Sequence, residues 1–357
     1  MNPRNQLAAF ALAFLAATAC GEAAAGVTAR RFDENPLVSV RSDPSLGDNV
    51  RGPSVIKVPA WVKNPLGKYY MYFAHHRGTF IRLAYADSLH GPWKVYVPGV
   101  LNVSQTALFR PQPDPPYEIY GVYTHVASPE IMVDDANQRI VMWVHGQFSD
   151  GQRWPDDPLA AQAWLREHGY SQVTQVTVST DGLHFEARPA ISREPYLRVF
   201  EHGGAYFGLV RLGRLVRSSD PLQPFVNGES PFRDTPYHNK VRHVALLRDG
   251  DLLHIFFSVI GDAPERILHT TMPLAGDWKD WKVGAVDEVL KPEARYECPD
   301  WPVRPSEVGE IYGAARQLRD PALYVEKGAD GRRQVTLFFT VCGEQGVAAA
   351  DVEIESP

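Results

Sequence analysis

The stretch "RHVALLRDGDLLHIFFSVIGDAPERILHTT", residues 242–271, decides the fold. An apolar run, "VALL", is followed by an Asp-Gly turn at 249–250 and a second, longer apolar run, "LLHIFFSVI". That is the signature of an antiparallel hairpin. A polar turn, "GDAPER", then leads into a third strand, "ILHTT". Arg242 and His243 stand at the head of the first strand, and Asp262, Glu265 and Arg266 crowd the second turn. The turn residues read as a structural network, with a place on a pocket rim as the alternative.

The same order of elements recurs four more times. It is found in "GPSVIKVPAWVKNPLGKYYMYFAHHRGTFIRLAYADSLHGPW" at 52–93 and in "SPEIMVDDANQRIVMWVHG" at 128–146, continued by "QVTQVTVSTDGLHF" at 172–185. It is found again in "YLRVFEHGGAYFGLVRLGRLVRSSDPLQPF" at 196–225 and in "RDPALYVEKGADGRRQVTLFFTVCGEQGVAAADVE" at 319–353. A small antiparallel sheet cannot bury both faces alone, whereas several packed radially can. Five units predict an all-β, five-bladed propeller. A double-sheet sandwich is the rival, but it does not require units that resemble each other in order. The insertion between Gly146 and Ser171 carries "DDPLAAQAWLREHG", a short helix on one face. The stretch from Val286 to Leu318 is long and aperiodic, and such loops tend to be functional.

Composition agrees. The 357 residues are 44% hydrophobic, 22% charged and 11% aromatic, with 28 Gly and 29 Pro, which suits many short strands and tight turns. The net charge is −6 with no run of Lys or Arg, so neither a nucleic acid nor an anionic membrane surface is indicated. Residues 1–25 read as a secretory signal peptide, and 26–357 as one propeller domain. The apolar run from Leu7 to Ala19 is shorter than the roughly 20 residues of a membrane span. Cleavage after Ala23-Ala24-Ala25 predicts a periplasmic or secreted protein; Ala17-Thr18-Ala19-Cys20 offers lipid anchoring at Cys20 as the alternative. Cys298 and Cys342 then remain, as a disulfide or as two buried thiols.

In a propeller the first strand of each blade lines the central channel. Arg242 and His243 therefore share one funnel with Asn49 and Arg51, with His125, Ser128 and Glu130, with Arg198 and Glu201, and with Arg319 and Asp320. Alternation turns one of His75 and His76 toward it, and His76 is the choice. No third ligand is spaced to complete a metal site, and no cofactor is called for. Carboxylates, arginines and histidines around one funnel suit a polyhydroxylated ligand and acid/base chemistry.

The five units, together with "GKYYMYFAHH…IRLAYADSLHGPW", resemble the glycoside hydrolases of the five-bladed propeller superfamily, family 43 above all. The resemblance spans the whole mature chain and implies a carbohydrate substrate. It also implies a blade-one Asp as general base, a blade-two Asp that tunes the acid, and a later Glu as general acid. Glu130 in "ASPEI" matches the blade-two carboxylate. Gly52 in "RGPSV" stands at the base position, with Asp48 four residues earlier. Arg242 and His243 occupy the region of the family's catalytic Glu. "YECPD" around Glu297 and "RDP" at 319–321 are similar to fragments of the related family 32, in reverse order.

The expected set is Asp320 as base or transition-state stabiliser, Glu297 as acid on its long loop, and Glu130 tuning the pair. His243, Arg242, Arg319, His125, Asn49, Arg51, His76 and Arg198 are expected to hold substrate. Pro321 is expected to keep Asp320 extended, and alternation to turn Arg319 away from it, to brace the blade or to pair with an acid of a neighbouring blade. A non-catalytic sugar-binding propeller and a glycoside phosphorylase, its anion pocket made by Arg242, Arg319 and His243, are the alternatives.

Overall fold

In the computed structural model, residues 26–109, 123–148, 155–168, 172–328 and 330–355 are described. Five antiparallel sheets surround one axis, as the fivefold pattern predicts. The innermost strands are Arg51–Lys57, Ala127–Asp134, Arg198–His202, Val241–Asp249 and Arg319–Lys327. Each blade then runs outward through its next strands in chain order, except the fifth. There the outermost strand is Val27–Arg31, from the other end of the described chain, and it pairs with Gly346–Ile354 from Val27↔Ile354 to Arg31↔Ala350. Both ends of the fold are thus in one blade, which closes the ring.

The core is five separate clusters, one between each pair of neighbouring sheets. Tyr72 and Ile81 pack on Ile140 and Met142 between blades one and two. Met71 and Phe73 pack on Phe338 and Val347 between blades one and five. Phe256 and Ile267 meet Leu337 and Phe339 between blades four and five, and equivalent clusters fill the other two gaps. Because strands alternate their faces, Phe256 and Phe257 serve opposite neighbours. This is why the central strands are apolar on both sides.

Four inner strands enter the axis through a β-bulge, at Arg51/Ser54, Ala127/Glu130, Val241/Val244 and Arg319/Ala322. In three of them the residue before a proline takes a left-handed conformation: Gly52 (φ 63°), Ser128 (φ 44°) and Asp320 (φ 48°). Asp320 is therefore not extended. The bulge overrides the local influence of Pro321 and re-aims the side chain, as bulges beside functional sites do.

The helix in the insertion is Pro158–His168. The long loop after Val286–Leu290 is pinned by a disulfide between Cys298 and Cys342, with Cα atoms 5.1 Å apart. The bridge closes 44 residues of sequence, so chain-entropy arguments give it about 4 kcal/mol. Replacing both cysteines by serine should lower the melting temperature and expose the loop to limited proteolysis. Unchanged melting and digestion would show that the bridge carries no constraint.

Candidate functional site

The mouth of the channel is a narrow pocket lined by His76, Tyr123, Tyr196, Arg242, His243 and Glu310, among others. Beneath it lies a buried ionic lattice. Arg51 is fully buried and reaches Asp320 Oδ1 at 3.2 Å, with Nη2 also 3.0 Å from His243 Nε2. A guanidinium can only donate, so Nε2 accepts and the proton of neutral His243 sits on Nδ1, 2.6 Å from Asp320 Oδ1. Thr340 Oγ1 donates to Asp320 Oδ2 at 3.2 Å. Burial alone would raise the Asp320 pKa; His243 and Arg51 at its oxygens hold it well below the ordinary carboxylate range. Burial pushes His243 down to about 4, with Asp320 opposing and Arg51 and Arg242 assisting.

Three more carboxylates complete the lattice. Glu265, fully buried, takes Arg242 Nε at 2.8 Å on one oxygen and Arg319 Nε at 3.1 Å on the other. Glu344, also buried, accepts from Asn49 Nδ2 at 2.6 Å and contacts Arg319 Nη1 at 3.1 Å and His76 Nδ1 at 3.2 Å. Burial would raise Glu344; His76, Arg51 and Arg319 bring it to about 2. Glu310 comes from the long loop, which Arg242 ties down through the carbonyls of Glu307 and Gly309. It pairs with Arg77, whose guanidinium lies between the rings of Tyr123 (4.7 Å) and Tyr312 (5.5 Å). His76 Nε2 is 3.5 Å from the other Glu310 oxygen. Against burial, His76 and Arg77 keep the Glu310 pKa lowered. Glu310 is the carboxylate that both lines the pocket and stays ionised.

The structure brings His243, Arg242 and His76 to the pocket wall, and Arg51, Arg319, Asn49 and Asp320 directly beneath it. Asp320 is 0% exposed and reaches the pocket wall only through His243. Arg319 turns to Glu265 of the fourth blade, in line with alternation, and so braces the lattice rather than binding hydroxyls. His125 is buried one layer back, its ring 4.5 Å from Tyr123 and 6.0 Å from His145.

Glu130 and Arg198 pair with each other at 3.2 Å, and Glu130 also accepts from Ser54 Oγ at 3.3 Å. Burial raises the Glu130 pKa, with Arg198 opposing, but neither residue lines the pocket. Glu201 is exposed.

Glu297 is the clearest correction. It is 0% exposed and clamped by Arg31 Nε (2.7 Å) and by the amides of Glu293 (2.7 Å) and Ala294 (2.9 Å). Arg31 belongs to the outermost strand of blade five, so Glu297 seals the outer gap beside blade four instead of supplying an acid at the axis. Asp48 does not stand in for the missing base either, being largely exposed and paired with His75 at 2.9 Å. Gly52 cannot carry that role: a Cβ there would lie 3.2 Å from Ser128 Cα and Oγ. Among the described residues no group of three His, Cys, Asp or Glu is arranged to hold a metal.

The neutral histidines make a testable signature. His125 and His243 titrate near 4 in the fold against an ordinary 6.5, chiefly because they are buried. As pH falls below 6.5 the unfolded chain takes up protons that the fold refuses. Their contribution is therefore complete above 6.5 and is lost between 6.5 and 4, on the order of 2–3 kcal/mol apiece. Urea unfolding should weaken from pH 6.5 downward, and a stability flat to pH 5 would contradict this electrostatic picture.

No family profile matches the chain. An uncharacterized protein, R118, of Acanthamoeba polyphaga mimivirus is 32% identical over 343 residues, which cover 90% of this chain and 89% of that one. The chain belongs to the family of R118. Among solved structures, a putative glycoside hydrolase from Bacteroides ovatus superposes with a TM-score of 0.56 at 11% identity, over 90% of this chain and 95% of that one. An alpha-L-arabinofuranosidase from Lactobacillus brevis gives 0.52 at 12%, over 89% and 92%. The catalytic domain of the GH62 alpha-L-arabinofuranosidase of Coprinopsis cinerea gives 0.52 at 12%, over 91% and 97%. The fold of this R118-family member is thus that of the five-bladed propeller glycoside hydrolases.

Proposed function

We propose that the protein is a glycoside hydrolase that takes a neutral carbohydrate in the axial funnel, with Glu310 as the ionised carboxylate beside the scissile bond. The observation that carries this reading is charge balance. Arg51, Arg77, Arg242 and Arg319 are each paired within the lattice formed with Asp320, Glu310, Glu265 and Glu344, and burial keeps His76 and His243 lowered. Such a pocket offers fixed donors and acceptors to hydroxyl groups. Among the described residues, Arg211 is the one lining arginine outside this lattice, a balance that suits hydroxyl groups better than phosphate. The solved structures that share the fold bear names of enzymes acting on glycosides, which supports the same class of reaction here.

Glu310 serves as base or as stabiliser of the cationic transition state. His76, between Glu310 and Glu344, is the neighbouring group that can carry the proton to the leaving oxygen. Asp320 fixes the tautomer of His243, which holds substrate. A non-catalytic sugar-binding propeller is the second reading. It is favoured by one observation: among the described residues that line the pocket Glu310 is the single carboxylate, where two-carboxyl hydrolysis uses a pair. Incubation with xylan, arabinan, arabinoxylan and mannan, following reducing ends alongside calorimetric binding, separates the two. New reducing ends support hydrolysis, binding alone supports the second reading, and neither removes both.

Export belongs to the same proposal. Residues 1–25, including Cys20, lie outside the described part, so support comes from the signal-like leader and from a disulfide suited to an oxidising compartment. Among the described residues no helix is long and apolar enough to cross a membrane. Mass spectrometry of the mature N-terminus distinguishes cleavage before Gly26 from lipidation at Cys20, and an intact Met1 would contradict both.

A further inference from the structure

The axial pocket does not end at its own walls. Arg211 lines both it and a recess of about 880 Å³ between blades three and four. Glu310 lines both it and a recess of about 960 Å³ along the outer side of the long loop. The central pocket, about 470 Å³, is the smallest of the three. The two recesses are within the size range of small-molecule sites, and the central pocket is a narrow constriction between them. Arg211 and Glu310 therefore stand where the axial pocket meets the two recesses, and a ligand longer than the pocket would pass over these side chains.

The loop arm of this path has the chemistry of a sugar platform. Trp301 and Tyr312 both line it, and each is about half exposed, at 51% and 50%. Aromatic rings left in water on one wall of a recess present flat apolar faces. Arg316, in the same recess, has a buried Nε without a hydrogen-bond partner. The Cys298–Cys342 bridge and the Arg242 contacts to Glu307 and Gly309 fix this arm to the ring.

We infer that the pocket and its two recesses act as one trough that binds an internal segment of a glycan chain lying across the funnel, with sugar rings stacked on Trp301 and Tyr312, so that the protein recognises chains rather than chain ends. This rests on the carbohydrate reading of the funnel. A dead-end pocket would gain nothing from ligand length, whereas a trough gains with each added ring that reaches an arm. A ring stacked on an aromatic face, by analogy with neutral aromatic pairs, changes affinity by up to about tenfold.

The test is calorimetric titration of the full chain with oligosaccharides of one to six units from xylan, arabinan and mannan. Affinity should rise at least tenfold between two and five units for the sugar that binds. Trp301→Ala should remove that rise and leave the binding of one- and two-unit ligands unchanged; Tyr312→Ala should also remove the rise, but it takes away a partner of Glu310 and so serves only as a second reading of the arm. Melting temperatures within a degree or two of the parent would show that both variants are folded. Binding without length dependence overturns the trough and leaves the funnel reading standing. A length dependence that survives both substitutions also overturns it. No binding by any of the three series overturns both readings.

Discussion

Asp320→Asn should destabilise the fold by about 3–5 kcal/mol. Asparagine matches the shape and tolerates the left-handed backbone at this position, so the bulge survives. What changes is charge. Arg51, fully buried, would lose the carboxylate 3.2 Å away and keep only Glu344, 4.0 Å from its Nε. Removing one partner of a buried ion pair leaves the other uncompensated, and that is the costly case. Adding Arg51→Met to the same variant should recover part of the loss, because the stranded charge is then gone. Urea unfolding of the two variants measures both effects. A loss below 1 kcal/mol for Asp320→Asn would mean that the lattice is not the ionised network described here.

Glu310→Gln should do the opposite. The side chain is on the loop at the pocket mouth; of its partners, Arg77 and Tyr312 are partly exposed, while His76 is buried and 3.5 Å away, so melting should fall much less than for Asp320→Asn. Turnover should fall by about 10²–10⁴, the usual cost of removing a carboxylate that handles a proton or developing charge. Sugar binding in the funnel should persist, since the amide keeps an acceptor for hydroxyls. Turnover within fivefold of the parent would transfer the reaction to another group.

The ring of blades was legible because its signal is redundant. Each central strand must be apolar on two faces, and "YYMYFA", "IVMWV", "LLHIFFSV" and "VTLFF" all show it. The inner-strand heads were legible for the same reason, which brought His243, Arg242 and Arg51 to one place. Closure by Val27–Arg31 was not, since a single five-residue strand has no repeat to belong to. The roles within the site were less visible still. Whether Asp320 faces substrate or is sealed under it depends on the bulge, which periodicity does not report.

Glu310 sits in the loop marked as functional by its length, but nothing local separates it from Glu297 or Glu307. Only the anchoring by Arg242, Arg77 and the disulfide decides which glutamate reaches the axis. Glu344 was hidden in the turn "VCGEQG", where a buried acid has no sequence signature.

The most direct test of the axial funnel as a carbohydrate site is a crystal structure of the Glu310→Gln protein soaked with the oligosaccharide that binds it. Density for a sugar ring against His243, Arg242 and Gln at position 310, with a glycosidic oxygen within hydrogen-bonding reach of that amide, is the predicted result. A sugar bound only on the outer edges of the blades, with the funnel filled by water, would contradict the account.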